Sequence, residues 1–380
     1  MDVVATREGG AVTGQEGEAT AWIATARLEL RRPGAPDFDD YVRLHTDPRT
    51  YAHKPAAMPT PEQCEEWFAA VLERWRDQGI DYAVIRERDA GGVLGWAGLR
   101  VVTGDGPPHL NLYFRLAAAA HGRGLGREVA RALTAWATEH RPELPVQAVV
   151  APVNVASLRT CAAAGLVEVS RKVHPDFPDD EPDIILQAPR LRVTRGTGAI
   201  DTPFSSDTLD TEALVDVWRR VNDTGGAVGF LPGAPVDEVR AALEQHLEVV
   251  RGGTALLVEL REPTGALCGY GFWEHAGQRG FEHVATLKRL MVDPAVQGRN
   301  LGSVLLAGMV GVVRRELEGV ILLLLDYRSG LGLGDFYARA GWTEVGRLPG
   351  AIWLEGDDYR DDVFMARRVD GRPVVSDGRA

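Results

Sequence analysis

One short run occurs twice in this 380-residue chain: HGRGLG at 121–126 and QGRNLG at 297–302, an offset of 297 − 121 = 176. The same offset carries Gly165 onto Gly341 and Cys161 onto Tyr337 without a gap. A chain with this register is expected to be a duplicated unit. Each copy stands between an apolar, strand-like run and an amphipathic, helix-like run. That arrangement leaves consecutive main-chain N–H groups bare at a helix start, where they cradle a phosphate. A ligand carrying a diphosphate is the first expectation.

The length favours two domains, each able to bury its own core. The expected division is a tail at 1–20, a domain at 21–189, a linker at 190–210, a second domain at 211–370 and a tail at 371–380. A net charge of −12 argues against nucleic acid or an anionic membrane as the main partner. An anionic cofactor would need local positive charge, and Arg123, Arg127 and Arg299 supply it beside the repeated loops. Three well-separated cysteines, Cys64, Cys161 and Cys268, fit a reducing compartment and show no zinc spacing. The first twenty residues lack the charged start and apolar run of a signal peptide, and Leu301–Val313 is too short to span a bilayer. A cytoplasmic protein without a metal site is expected.

The pattern predicts strand then helix in the same order twice. In the first half Thr60-Pro61-Glu62-Gln63 forms a capping box, followed by a core stripe of Cys64, Trp67, Phe68, Val71, Leu72 and Trp75. Strands are expected at 26–33, 82–87, 93–101, 109–116 and 146–151, and helices at 125–139 and 154–165. In the second half, helices at 213–221 and 236–250 precede strands at 254–260, 267–274 and 285–292. A loop-led helix, a strand at 320–327 and a helix at 333–341 follow. Residues 188–210, rich in Thr, Gly, Ser, Pro and Asp, read as the linker. GLGLG at 330–334 reads as a turn ahead of that last helix.

With strands, loop, helix and an N-x-x-S or FY-x-x-x-G-W tail in order, both halves resemble the GCN5-related N-acetyltransferase (GNAT) family. The resemblance covers 25–187 and 211–368 and is closest to tandem members of actinobacterial type. ARLELRRP, HGRGLGREVARAL and NVASLRTCAAAGL carry it in the first half, which resembles the ribosomal-protein and small-molecule branch. In the second half VGFLPG, RLMVDPAVQGRNLG, LLLDYRSG and FYARAGWTEVGRLPG carry it, similar to a branch with antibiotic and toxin resistance enzymes. The implied fold is α/β, two tandem acyltransferase units with mixed sheets, packed as a pseudo-dimer.

The resemblance implies acetyl-CoA as cofactor. Its pyrophosphate would lie on His121, Gly122, Arg123, Gly124, Leu125, Gly126 and Arg127, or on Gln297, Gly298, Arg299, Asn300, Leu301, Gly302 and Ser303. Its pantetheine arm would run along Phe114, Arg115 and Leu116, or along Leu290, Met291 and Val292, with Asn154 beside the first site. The implied reaction is acetyl transfer to an amine of a small metabolite, in antibiotic biosynthesis or resistance. Tyr337 holds the family's acid position, and Ser157 of N-x-x-S is the first-half substitute where Cys161 replaces tyrosine. His121 departs from the usual Gln or Arg, and Asn300 stands where glycine is usual, although Asn tolerates a left-handed backbone. Glu274, His275, Glu282, His283 and His109 are candidate bases. The rival readings are a half that only binds cofactor, a non-catalytic acyl-CoA sensor, and acetylation of a protein N-terminus.

Overall fold

The computed structural model describes residues 21–88, 91–104, 106–201, 209–275, 277 and 279–374. The expected tail at 1–20 and residues 375–380 lie outside them. Two mixed eight-stranded sheets form two α/β units.

In the first unit the sheet order is β1 (Ile23–Ala24), β2 (Leu28–Arg31), β3 (Tyr82–Glu87), β4 (Val93–Val102), β5 (His109–Leu116), β6 (Val146–Val150), β8 (Asp183–Gln187), β7 (Val167–Lys172). Only β5–β6 is parallel, and α3 (Leu125–His140) makes that crossover. α1 (Phe38–His45) and α2 (Pro61–Gln78) precede β3, and α4 (Val155–Ala163) follows β6. The Thr60 capping box starts α2 as expected. Cys64, Phe68, Val71 and Trp75 are buried, but Trp67 is 44% exposed, so the expected stripe is one residue narrower. At i+3 from Cys64, position 67 sits on the edge of the apolar face, where a ring turns outward.

The second sheet runs β10 (Gly198–Asp201), β9 (Arg190–Arg195), β11 (Ala255–Arg261), β12 (Leu267–His275), β13 (Val284–Val292), β14 (Leu322–Arg328), β16 (Asp358–Arg368), β15 (Thr343–Glu355). Again only β13–β14 is parallel, joined through α7 (Leu301–Glu316). α5 (Thr211–Asp223) and α6 (Val236–Arg251) precede β11, and α8 (Leu333–Arg339) follows β14. α3 and α7 are both 16 residues long and begin 301 − 125 = 176 apart.

Residues 190–201, expected as linker, are strands. β9 pairs with β11 over Arg190–Thr194, with Leu191 and Val193 inward. The alternation of RLRVTR outweighs the turn-rich residues that follow. Residues 202–208 of that expected linker lie outside the described residues.

The units meet along α3 and α7. Small residues let the backbones approach: a Cβ on Gly311 would run into the Glu139 carbonyl, and one on Gly308 would lie 2.8 Å from Thr138 of α3. The Glu139 carboxylate pairs with Arg314 at 2.7 Å and Arg367 at 2.9 Å. Arg131 donates to the Gly298 carbonyl at 2.7 Å, and Asn300 donates to the Arg131 carbonyl at 3.1 Å. Gly298 and Asn300 match Gly122 and Gly124 at the 176 offset, yet the closest group to a Cβ on Gly124 is Arg27 of its own unit. A two-fold interface would repeat each contact in both directions. This contact is one-sided: the second loop leans on the first unit, and the first loop stays open.

Candidate functional site

Both loops take the shape their residues allow. Gly122 and Gly124 have φ of 75°, Gly298 has 79° and Asn300 has 69°. Gly124 and Asn300 are the left-handed N-caps of α3 and α7. In this conformation the amides of 122–127 and 298–303 find no main-chain acceptor among the described residues. A Cβ on Gly122 or Gly298 would meet nothing within 4 Å, so the space beside these two residues is open. Each donor row stands at a helix N-terminus, where partial positive charge favours an anion. The residues present therefore fit a diphosphate.

The flanks match as well. His121 Nε2 lies 3.0 Å from the Leu116 carbonyl, and Gln297 Nε2 donates to the Val292 carbonyl at 3.2 Å. These side chains tie the loop to the end of the preceding strand. A Cβ on Gly126 would lie 3.6 Å from Leu116, and one on Gly302 would lie 3.6 Å from Phe336. Leu125 and Leu301, expected both on the loops and on the apolar faces of their helices, are buried in the core, so only their main chain is left for a ligand. Ser303 lies in the first turn of α7. Arg123 pairs with Glu87 and Arg299 with Glu262 at 3.2 Å, so both matched arginines are already held by carboxylates. Arg127 is exposed on the first turn of α3.

Beyond the loops the two units differ. β13 and β14 pair only through Thr286↔Leu324 and then diverge, opening a cleft of about 630 Å³. It extends from Gln297 and Gly302 past Leu290, Met291 and Val292 to Tyr337, Asp326, Glu274 and His246. The β12–β13 register slips between Tyr270↔Met291 and Phe272↔Lys288, leaving Arg289 and Leu290 opposite one residue. Arg289 sits there at φ 55°. A left-handed arginine costs on the order of 1–3 kcal/mol and persists only where surrounding structure enforces it. Bulges of this kind re-aim a side chain next to a site.

Tyr337, on α8, is 7% exposed and packs against Phe336, Tyr327 and Trp342. Its hydroxyl has no protein partner among the described residues, and its ring lines the cleft. Burial, then the charge of Asp326, raise its pKa well above the usual phenol range. The hydroxyl therefore keeps its proton at neutral pH. Glu274 lies 3.2 Å from His246 Nδ1; that hydrogen bond holds its pKa below the usual carboxylate range, so it is an anion at neutral pH. Lys288 pairs with Asp326 at 2.8 Å.

In the first unit β5 and β6 also part early, after Asn111↔Gln147. Here the β4–β5 register is unbroken from Gly95↔Leu116 to Val102↔His109, so there is no bulge. The residue matching Arg289 is Tyr113, whose hydroxyl meets His45 Nε2 at 2.9 Å and receives Arg115 Nε at 2.9 Å. Arg115 also donates to the Thr50 carbonyl at 2.7 Å and lies 3.7 Å over the Tyr51 ring. The side chains at this end of β5 are thus tied to one another and to His45, Thr50 and Tyr51. Phe114 and Leu116 flank Arg115 half-buried. Asn154 spends its side chain capping α4 through the Ser157 amide at 3.1 Å. Cys161 is fully buried, and burial pushes its thiol up to about 12.

Of the candidate bases only Glu274 lines the cleft. His275 Nε2 meets the Glu282 carbonyl at 2.7 Å, Glu282 accepts from the Gly280 amide, and His109 turns to the Pro107 carbonyl. Sequence reasoning passed over Arg289, His246 and Asp326. The first two are brought in by a bulge and by α6, which leave no local signature; Asp326 follows a run of leucines and could have been read as a polar strand end.

Residues 27–167 match the acetyltransferase (GNAT) domain family. Solved structures similar to this chain include an acetyltransferase from Agrobacterium tumefaciens, at 24% identity and TM-score 0.37 over 47% of this chain and 98% of that one. A GNAT superfamily phosphinothricin acetyltransferase from Sinorhizobium meliloti in complex with AcCoA is 17% identical, with TM-score 0.37 over 43% and 86%. A GNAT-family acetyltransferase from Bacillus anthracis is 14% identical, with TM-score 0.37 over 43% and 95%. No described helix is long and apolar enough to cross a membrane.

Proposed function

We propose that this chain transfers an acetyl group from acetyl-CoA to the amine of a small metabolite, and that the second-unit cleft carries the reaction. The supporting observation is the unpartnered hydroxyl of Tyr337 in a cleft that begins at Gln297 and Gly302. Bound there, acetyl-CoA would supply an activated thioester. The amides of 298–303 would hold its diphosphate, and the edge at Leu290–Val292 would align its pantetheine arm. Glu274, with His246, would accept the proton that an ammonium must lose before it attacks. Tyr337 would protonate the departing sulfur.

The first unit carries the family match and an open glycine loop, but Tyr113 and Arg115 on its β5 are already bound to His45 and Thr50. It is read as a cofactor-binding or structural partner, a copy of the same unit with its chemistry closed. Acetylation by the purified chain, followed by release of free thiol, tests the assignment. Tyr337→Phe should slow turnover roughly 10²- to 10⁴-fold with unchanged affinity for coenzyme A. An unchanged rate removes Tyr337 from the mechanism.

A further inference from the structure

The charges in the cleft are distributed in a way that specifies more than an amine. Among its basic side chains, Lys288 is spent on Asp326, His246 hydrogen-bonds Glu274, and Arg328 donates to the Gly225 carbonyl. Among the described residues Arg289 has no hydrogen-bond or ion-pair partner, and its buried Nε is unsatisfied. Its guanidinium lies 5.5 Å from the Trp218 ring, against Gly229, where a Cβ would come within 2.8 Å of Nη1. Gly229, at φ 106°, is thus shaped to leave room for it. Glu274 and Asp326 are near enough to act on its charge without pairing with it.

An unpaired, half-buried guanidinium is costly, and a planar fork of donors best matches a carboxylate. The bulge supplies the strain that places it there, and Glu274 offers an anion across the same cleft. Resting on the acyl-transfer reading above, we propose that the acceptor is a small zwitterion, an amino acid or close analogue. Arg289 takes its carboxylate, and Glu274 receives its ammonium. The nitrogen then loses a proton to the Glu274–His246 pair and bonds the acetyl carbon as the carbon–sulfur bond breaks. The sulfur leaves with the electron pair and takes its proton from Tyr337, and the second proton shed by the acylated nitrogen restores the Tyr337 hydroxyl.

The test is steady-state acetylation by the full chain of the twenty amino acids and their decarboxylated counterparts, such as lysine with cadaverine and phenylalanine with phenethylamine. At least one amino acid should exceed its amine in kcat/KM by roughly 30-fold or more, the range of a charge-assisted bond. In Arg289→Met that ratio should collapse towards one through KM, and Arg289→Lys should restore part of it. Coenzyme A titration of both variants should match the parent chain, which separates loss of the acceptor contact from misfolding. Equal or better use of the amines, use of neither member of any pair, or a ratio that survives Arg289→Met overturns the zwitterion assignment. The acyl-transfer reading fails separately, if coenzyme A does not bind or if no amine of any kind, spermidine included, is acetylated.

Discussion

Asn300 stands in a left-handed conformation at the front of α7 and donates from its side chain to the carbonyl of Arg131, 3.1 Å away in the other unit. One residue thus shapes the second loop and ties it to the first unit. Asn300→Gly keeps the backbone and loses the bond, so it should cost about 1 kcal/mol of stability and leave coenzyme A affinity within a few-fold. Asn300→Val must leave the left-handed region or pay roughly 1–2 kcal/mol more, and should weaken binding at least tenfold. Calorimetric titration beside denaturant unfolding reads both effects.

Gly311 lies against the Glu139 backbone, with no room for a side chain. Gly311→Val should force α3 and α7 apart and cost roughly 1–3 kcal/mol or more. Unfolding should then separate into two transitions as the units lose their shared seam. A single transition at the parent midpoint contradicts the packing described.

His45 is 2% exposed, and burial pushes its pKa down to about 4 from 6.5. Its folded form therefore stays neutral while the unfolded chain takes up a proton. The stability is present in full above pH 6.5 and falls as pH drops from 6.5 to 4, by up to about 3 kcal/mol. His45→Asn, which can still donate to the Tyr41 carbonyl, should flatten that slope. Urea midpoints measured between pH 4 and 8 for both proteins check it.

The repeat was readable because its geometry is backbone geometry. A left-handed residue before a helix calls for Gly or Asn, and the sequence shows Gly124 and Asn300 at matching places. The paired helices were readable from the spacing of Leu125, Val129 and Leu133 and of Leu301, Val304 and Leu305, all buried. Other features depend on partners distant in sequence. The bulge at Arg289 exists only in the register of β12 against β13, and the first unit's side-chain network depends on His45 and Tyr51 meeting Tyr113 and Arg115. The strand Arg190–Arg195 was hidden by the turn-forming residues after it, although its alternation was present. The long β15–β16 hairpin at 343–368 carries exposed Leu348, Trp353 and Tyr359, which blur its pattern.

A crystal structure of the full chain soaked with acetyl-CoA tests the central assignment most directly. It should show the diphosphate on the amides of 298–303 and the thioester between Leu290 and Tyr337, with Arg289 and Glu274 facing the open end of the cleft. Acetyl-CoA held only at 121–127, with the second cleft vacant, would contradict the account.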